Sequence, residues 1–377
     1  MRLLELQEES DSLAACVAAG RSNPDPNLRG WAALVPLEPR ALAEGLRHAG
    51  LLVLAGSRGA LALGSLAQLW SAARSLEDAL EREEARRLAR DLRDRAAAVE
   101  AGPPAWKLRT RDLPAGRTLV MGIVNVTPDS FSDGGRLADA DQAIAHALRL
   151  VAEGADLIDV GGESTRPGAA EVSADEERAR VLPVVRALAA RGVAVSIDTT
   201  KASVARAALE AGAEIVNDVS ALGDPAMAPL VAQSAAALCL MHRRGTPADM
   251  QSRAVYADLL GEVQAELEQA LLRARGIAPA RIAVDPGLGF AKTGAQNLLL
   301  LRRQRELTQL GRPLLVGPSR KAFIGQLTGR PAAERVLGTV AAAVHAAAAG
   351  AAVVRVHDVA AVREALSVSD AIRTSRS

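Results

Sequence analysis

Eight short apolar runs, each followed by a helical stretch, occupy the chain from residue 119 onward, and this alternation restricts the fold more than any other feature. The runs are 119–126, 157–160, 193–197, 214–216, 237–241, 282–284, 314–316 and 353–356. Apolar on both faces, they have the character of buried parallel strands. Eight strand–helix units in about 250 residues predict an α/β fold, a (β/α)8 barrel. A doubly wound sheet also alternates, but with fewer strands and a glycine-rich phosphate turn after the first. The polar residues favour the barrel. Every run ends in them: Asn125, Asp159, Asp198, Asn217 and Asp218, Met241 and His242, Asp285, Ser319 to Lys321, and Arg355 with His357. No run begins with a comparable cluster. In a barrel all eight ends open on one face, where active sites form. The pattern predicts an enzyme.

The first third reads differently. Gly102, Pro103 and Pro104 break the chain, and Arg109, Arg111 and Asp112 follow. Residues 1–104 are therefore expected as a small N-terminal α/β extension, 105–117 as a solvated linker, and 118–377 as the barrel. Within the extension, 51–55 and 60–63 flank a Gly-Ser-Arg-Gly turn and read as two short strands. Ser75 to Glu100 reads as one charge-laced helix with Leu76, Leu80, Leu88 and Leu92 on one face. Only seven residues are aromatic, so their placement carries weight. Trp31, Trp70 and Trp106 all precede Phe131, Phe290 and Phe323, which points to two separately packed regions.

Composition excludes several classes of function. With 49% hydrophobic residues in 377, the chain can bury a large core. Its 45 basic and 44 acidic residues leave a net charge of +1, no footprint for nucleic acid or an anionic membrane. Two cysteines, Cys16 and Cys239, rule out a disulfide framework and suit a reducing compartment. The first residues lack an apolar signal core, and the Ala-rich stretch 340–354 is shorter than the ~20 residues a span needs. A cytoplasmic location is expected.

Four constellations carry chemistry. Residues 125–135 read N-V-T-P-D-S-F-S-D-G-G, a loop suited to a mobile lid that presents Phe131 and Asp133. Residues 161–168 read G-G-E-S-T-R-P-G; with Asn125 and Arg355, Thr165 and Arg166 make a candidate anion clamp. Asp198, Asn217 and Asp285 end three strands, and at depth they require partners. A planar heterocycle with N–H donors is one such partner and a divalent metal another, Mg2+ fitting Asp and Asn better than zinc does. Lys321, Arg166, Arg355 and His357 form a cationic rim suited to pyrophosphate. By contrast, 287–293 (G-L-G-F-A-K-T) lacks the spacing of a nucleotide-binding loop.

These residues resemble a known family. Residues 121–135 (M-G-I-V-N-V-T-P-D-S-F-S-D-G-G) and 158–168 (I-D-V-G-G-E-S-T-R-P-G) are similar to the two signatures of dihydropteroate synthases. Shorter segments at 196–199, 215–218, 285–287, 319–321 and 355–358 follow in the family's order, and the likeness runs from about residue 119 to the end. The resemblance implies a TIM barrel that joins 6-hydroxymethyl-7,8-dihydropterin pyrophosphate to p-aminobenzoate. It implies that Asp198, Asn217, Asp285 and Lys321 hold the pterin, with Met241 among the substrate-binding residues. Asn125 with Mg2+, Arg355 and His357 would grip the pyrophosphate. The loops bearing Phe131, Asp133, Thr165, Arg166 and Pro167 would close over the aminobenzoate, with Phe290 lining its pocket. Asp133, Arg166 and Lys321 are the implied catalytic residues, and a homodimer the implied assembly.

Three departures accompany the likeness. Ala322 replaces a usual Ser, Gln296 a usual His, and the first 110 residues have no counterpart. Two other readings share the barrel: a pterin-binding methyltransferase domain and a non-catalytic pterin-binding paralogue. Neither requires the Phe131–Asp133 lid or the Thr165–Arg166 loop.

Overall fold

Alternation with a period of two builds the first sheet. The computed structural model describes residues 1–6, 15, 19, 30–36, 40–57, 59–80, 83–127, 135–164 and 171–375. Among them, β1 (Arg2–Leu6), β2 (Gly30–Val35), β3 (Leu52–Ala55) and β4 (Ala60–Gly64) pair antiparallel in the order β1-β2-β4-β3. Leu3, Ala33, Val35 and Ala62 share one face, and Leu4, Leu6, Ala32 and Leu61 the other. The first face packs against Leu42, Leu46, Leu69 and Leu92 of helices α1 (Arg40–His48), α2 (Leu66–Ala79) and α3 (Glu83–Ala101).

The single helix expected over 75–100 is two helices. Leu80 leaves α2 in an extended conformation (φ −81°, ψ 129°), and Glu77 on α2 binds Arg90 at 2.8 Å and also Arg93 on α3. A straight helix of that length would run roughly 39 Å, about twice the span of the strands beneath it. Turning back lets Leu76, Leu80 and Leu88 all pack on one small core.

This unit is discontinuous in sequence. It comprises Met1–Gly102 together with Arg303–Gly311. Gln309 accepts from the Leu3 amide (2.8 Å) and donates to the Leu3 carbonyl (3.0 Å), and the Glu5 amide on the same edge of β1 donates to Glu306 (3.2 Å). Glu306 is buried between Arg2 (3.3 Å) and Arg303 (2.7 Å). The segment is polar, and its polar atoms are spent inside this unit.

The second unit holds the barrel. All eight apolar runs form strands: β7 (Leu119–Asn125), β8 (Leu157–Gly161), β9 (Val195–Asp198), β10 (Ile215–Asp218), β11 (Ala237–Met241), β12 (Ile282–Asp285), β13 (Leu315–Val316) and β14 (Val353–Val356). They are parallel in the order β12-β11-β10-β9-β8-β7-β14-β13, and a Val284–Leu314 bridge closes the ring.

The segment expected as a solvated linker is a two-stranded hairpin, β5 (Trp106–Lys107) with β6 (Asp112–Leu113). Trp106, Leu108 and Leu113 pack on Met121, Leu157, Ile215 and Leu315 at the strand starts and floor the barrel. The Trp106 indole donates to the Arg281 carbonyl at 3.0 Å. Hence Trp106 belongs to the barrel, not to the region that holds the other tryptophans. Two carboxylates stand at this lower end, and both are structural. Glu214 takes the Thr110 amide and hydroxyl (3.0 and 2.6 Å), while Asp156 takes the Val120 amide at 2.8 Å and pairs with Arg117 and Arg363.

Candidate active site

At the other end the strands deliver chemistry. Arg355, between the buried Val354 and Val356 on β14, reaches across the barrel mouth with Nε 2.6 Å from Asp159 Oδ2 on β8 and Nη2 2.8 Å from Asp198 Oδ2 on β9. Asn217, next to last in β10 one strand further, donates Nδ2 to the same Asp159 oxygen at 3.0 Å. Two buried carboxylates thus share one guanidinium. Burial pushes the Asp198 carboxyl up to about 7; Arg355 opposes this, and the charges of Asp159, Glu177 and Asp218 reinforce it. Burial also works against the Arg355 charge, but Asp159 and Asp198 override it and hold that pKa above the usual value.

Asp285 ends β12 opposite Met241 of β11, and both are buried. Burial lifts Asp285 to about 6, against the Gly287 amide that bonds its Oδ1 at 2.7 Å and the charges of Lys321 and Arg355. Lys321, just before the helix Ala322–Thr328, is lowered to about 8 by burial, with Asp285 countering. Its ammonium lies 4.6 Å from the Phe290 ring centroid.

The loop carrying Phe290 is tied down at several points. Gly287 has φ +69°, and a Cβ there would lie 2.0 Å from the His242 carbonyl oxygen. Asn297 Oδ1 accepts from the Gly289 amide (2.7 Å), and the Tyr256 hydroxyl donates to the Ala291 carbonyl (3.0 Å). Lys292, itself buried, donates to the Phe290 carbonyl (2.9 Å) and meets His242 Nδ1 at 2.8 Å. An ammonium on Nδ1 leaves the imidazole proton on Nε2, which faces Glu266 Oε2 at 3.1 Å. Burial first and Lys292 second take His242 down to about 4; burial takes Lys292 down to about 7. Gln296, the departure from the family's His, closes a reciprocal cap with Thr293 (2.8 and 3.3 Å).

A second brace stands across the mouth. Lys201 Nζ lies 2.7 Å from both Glu163 and Glu177, and the Val172 amide donates to Glu163 at 2.9 Å. One lysine therefore anchors both ends of the loop that begins at Glu163. Thr165, Arg166 and Pro167 on that loop, and Phe131 and Asp133 on the loop after β7, lie outside the described residues.

The remaining expected residues take their places on the rim. His357 Nδ1 is 2.9 Å from Ser319 Oγ, which also accepts from the His357 amide at 3.1 Å. A Cβ on Gly161 would lie 3.8 Å from both Asn125 Oδ1 and Asp198 Oδ2, so these two oxygens border one space. Among the described residues no three His, Cys, Asp or Glu side chains are grouped to hold a metal.

Sequence reasoning passed over Asp159, Lys292 and Lys201 as site residues. Asp159 carried a signal, an acid between Ile158 and Val160 in a fully buried strand. Lys292 and Lys201 carried none, since their side-chain partners His242, Glu163 and Glu177 lie on other elements.

A closed parallel barrel with convergent ionisable groups at its C-terminal mouth defines a (β/α)8-barrel enzyme. Comparisons refine that class. Residues 121–357 match the model of the pterin binding enzyme family. A dihydropteroate synthase of Synechocystis sp. is 50% identical over 261 residues, 68% of this chain and 90% of that protein. Among solved structures, Xanthomonas albilineans dihydropteroate synthase with 4-aminobenzoic acid is 46% identical with a TM-score of 0.69, covering 73% of this chain and all of that one. The same enzyme in complex with 7,8-dihydropteroate is similar at 44% identity and a TM-score of 0.67. The chain belongs to the dihydropteroate synthase family of pterin-binding enzymes.

Proposed function

We propose that this transferase condenses 6-hydroxymethyl-7,8-dihydropterin pyrophosphate with p-aminobenzoate, giving 7,8-dihydropteroate and pyrophosphate in folate biosynthesis. The observation that carries the reading is the set of buried acceptors Asp198, Asn217 and Asp285 beneath the cations Arg355 and Lys321. A pterin edge is rich in N–H donors and matches such a set, whereas buried acceptors without donors are costly.

In the reaction the methylene C–O bond breaks, its electron pair leaves with pyrophosphate, and the amine nitrogen of aminobenzoate forms the new C–N bond and loses a proton. Arg355, Lys321 and His357 stabilise the charge that gathers on the leaving group. Met241 packs beside the heterocycle, and the Phe290 ring lines the aminobenzoate pocket. From the two loops, Asp133 balances the cation developing on the methylene, while Phe131, Thr165, Arg166 and Pro167 exclude water.

Asn125 offers one hard amide oxygen at the mouth, which suits Mg2+, an ion that keeps several waters and takes substrate phosphate oxygens as ligands. When bound, that ion would neutralise pyrophosphate charge.

A homodimer is supported by exposed apolar residues on the C-terminal helices. Leu327, Leu337, Val368 and Ile372 are 66%, 83%, 59% and 70% exposed. Sedimentation of the purified protein tests it. Among the described residues no helix is long and apolar enough to cross a membrane; the balanced charge and the free thiol of Cys239 support a cytoplasmic setting. The decisive assay supplies both substrates to purified protein and follows dihydropteroate by mass spectrometry. Folded protein that turns over neither substrate overturns the reading.

A further inference from the structure

Asp159 divides its two oxygens unequally. Oδ2 accepts from both Arg355 Nε (2.6 Å) and Asn217 Nδ2 (3.0 Å), while Oδ1 has no hydrogen-bond partner among the described residues. The residue is wholly buried in β8, where an ionised group is expensive unless it is needed. Asp156 and Glu214 at the barrel floor engage both oxygens, each with a backbone amide among its donors. Asp159 spends one, and spends it on two side chains that face the substrate space.

The geometry of those two side chains follows from this. An amide is planar with donor and acceptor on opposite branches, so committing Asn217 Nδ2 to Asp159 turns Oδ1 away from Asp159 as a fixed acceptor. A guanidinium is also planar. With Nε on Asp159 and Nη2 on Asp198, its plane is set by carboxylates on two adjacent strands. Without Asp159, Asn217 is free to present either branch, and Arg355 keeps one partner only.

We propose that Asp159 is a positioning residue that sets the hydrogen-bond polarity of the pocket: it holds Asn217 oxygen-first and Arg355 in one plane, so that the site selects a heterocycle whose buried edge carries donors. This rests on the function proposed above.

The test measures binding of 6-hydroxymethyl-7,8-dihydropterin pyrophosphate by calorimetry, and KM for each substrate, in full-length variants. Asp159→Ala is expected to weaken pterin binding about 10- to 100-fold, the range for partners that orient a ligating group. KM for aminobenzoate should stay within about twofold; a general loss of structure would raise both. Should that variant fail to fold, Asp159→Asn and Asp159→Ser carry the same question. The Asn oxygen can still accept from both Arg355 Nε and Asn217 Nδ2, so pterin binding should stay within about tenfold of wild type, whereas the shorter Ser reaches neither and should lose at least about tenfold more. Wild-type protein that does not bind the pterin removes the functional reading. Wild-type binding with Asp159→Ala or Asp159→Ser unchanged, or Asp159→Asn as weak as Asp159→Ser, overturns the role of Asp159.

Discussion

Lys292 Nζ lies 2.8 Å from His242 Nδ1, and through that ring the buried lysine is linked to the Glu266 carboxylate. Its other bond, to the Phe290 carbonyl, holds the aromatic loop beside Lys321. Replacing it with Met removes both anchors but also a buried charge, and these effects on stability largely offset each other. Lys292→Met should therefore change Tm by only ~3 °C or less while raising KM for aminobenzoate about tenfold, a 1.4 kcal/mol effect. Unchanged KM in the folded variant would detach Lys292 from the pocket.

The raised pKa values of Asp198 (about 7) and Asp285 (about 6) make stability depend on pH. The folded protein keeps protons that the unfolded chain releases near pH ~4. That contribution is complete below pH ~4 and disappears as pH rises through 6 and then 7. Thermal unfolding of ligand-free protein should show wild type losing stability relative to Asp198→Asn over this window. Parallel profiles for the two proteins would contradict the shift.

Asp133 is assigned to the cation that develops during reaction, so its effect belongs to the transition state. Asp133→Ala should lower kcat ~10²-fold or more and leave pterin affinity nearly intact. If pterin affinity falls in proportion to kcat, the residue acts in binding instead.

The floor of the barrel predicts where a shortened chain can start. Trp106 is 1% exposed within the floor cluster, and truncating such a side chain costs ~3–5 kcal/mol. A chain beginning at Lys107 should accordingly unfold well below one beginning at Pro103, as read by calorimetry. Matching transitions would mean the indole contributes nothing. Both should lose solubility relative to the full chain, because Arg303–Gly311 is left without the unit that buries it.

Much of this was legible in the residues. The eight runs are apolar on both faces, so neither the strands nor the convergence of Asp198, Asn217, Asp285 and Arg355 depended on distant information. What escaped did depend on it. A hairpin of two-residue strands is too short for alternation to register, so the floor read as a linker. Nothing local in Gln304–Leu310 shows that Gln309 bonds Leu3. The glycines of 287–293 failed as a phosphate loop, and their use is steric: Gly287 lets the chain pass against the His242 carbonyl, and Gly289 leaves room for Lys321.

Leu3 and Gln309 are joined across 306 positions of sequence, and this orders events as the chain is made. Domains emerging from the ribosome generally fold as units, the N-terminal one first, at about 5–20 residues per second. Here the N-terminal sheet cannot complete the edge of β1 until some two hundred residues beyond α3 have been translated, roughly 10–40 s later at that pace. During that interval β1 presents an unpaired edge, the kind of surface that seeds misassociation. Slow-growth temperatures, synonymous codon changes between 102 and 303, and chaperone supply should thus govern the yield of native protein more than the barrel's own stability does.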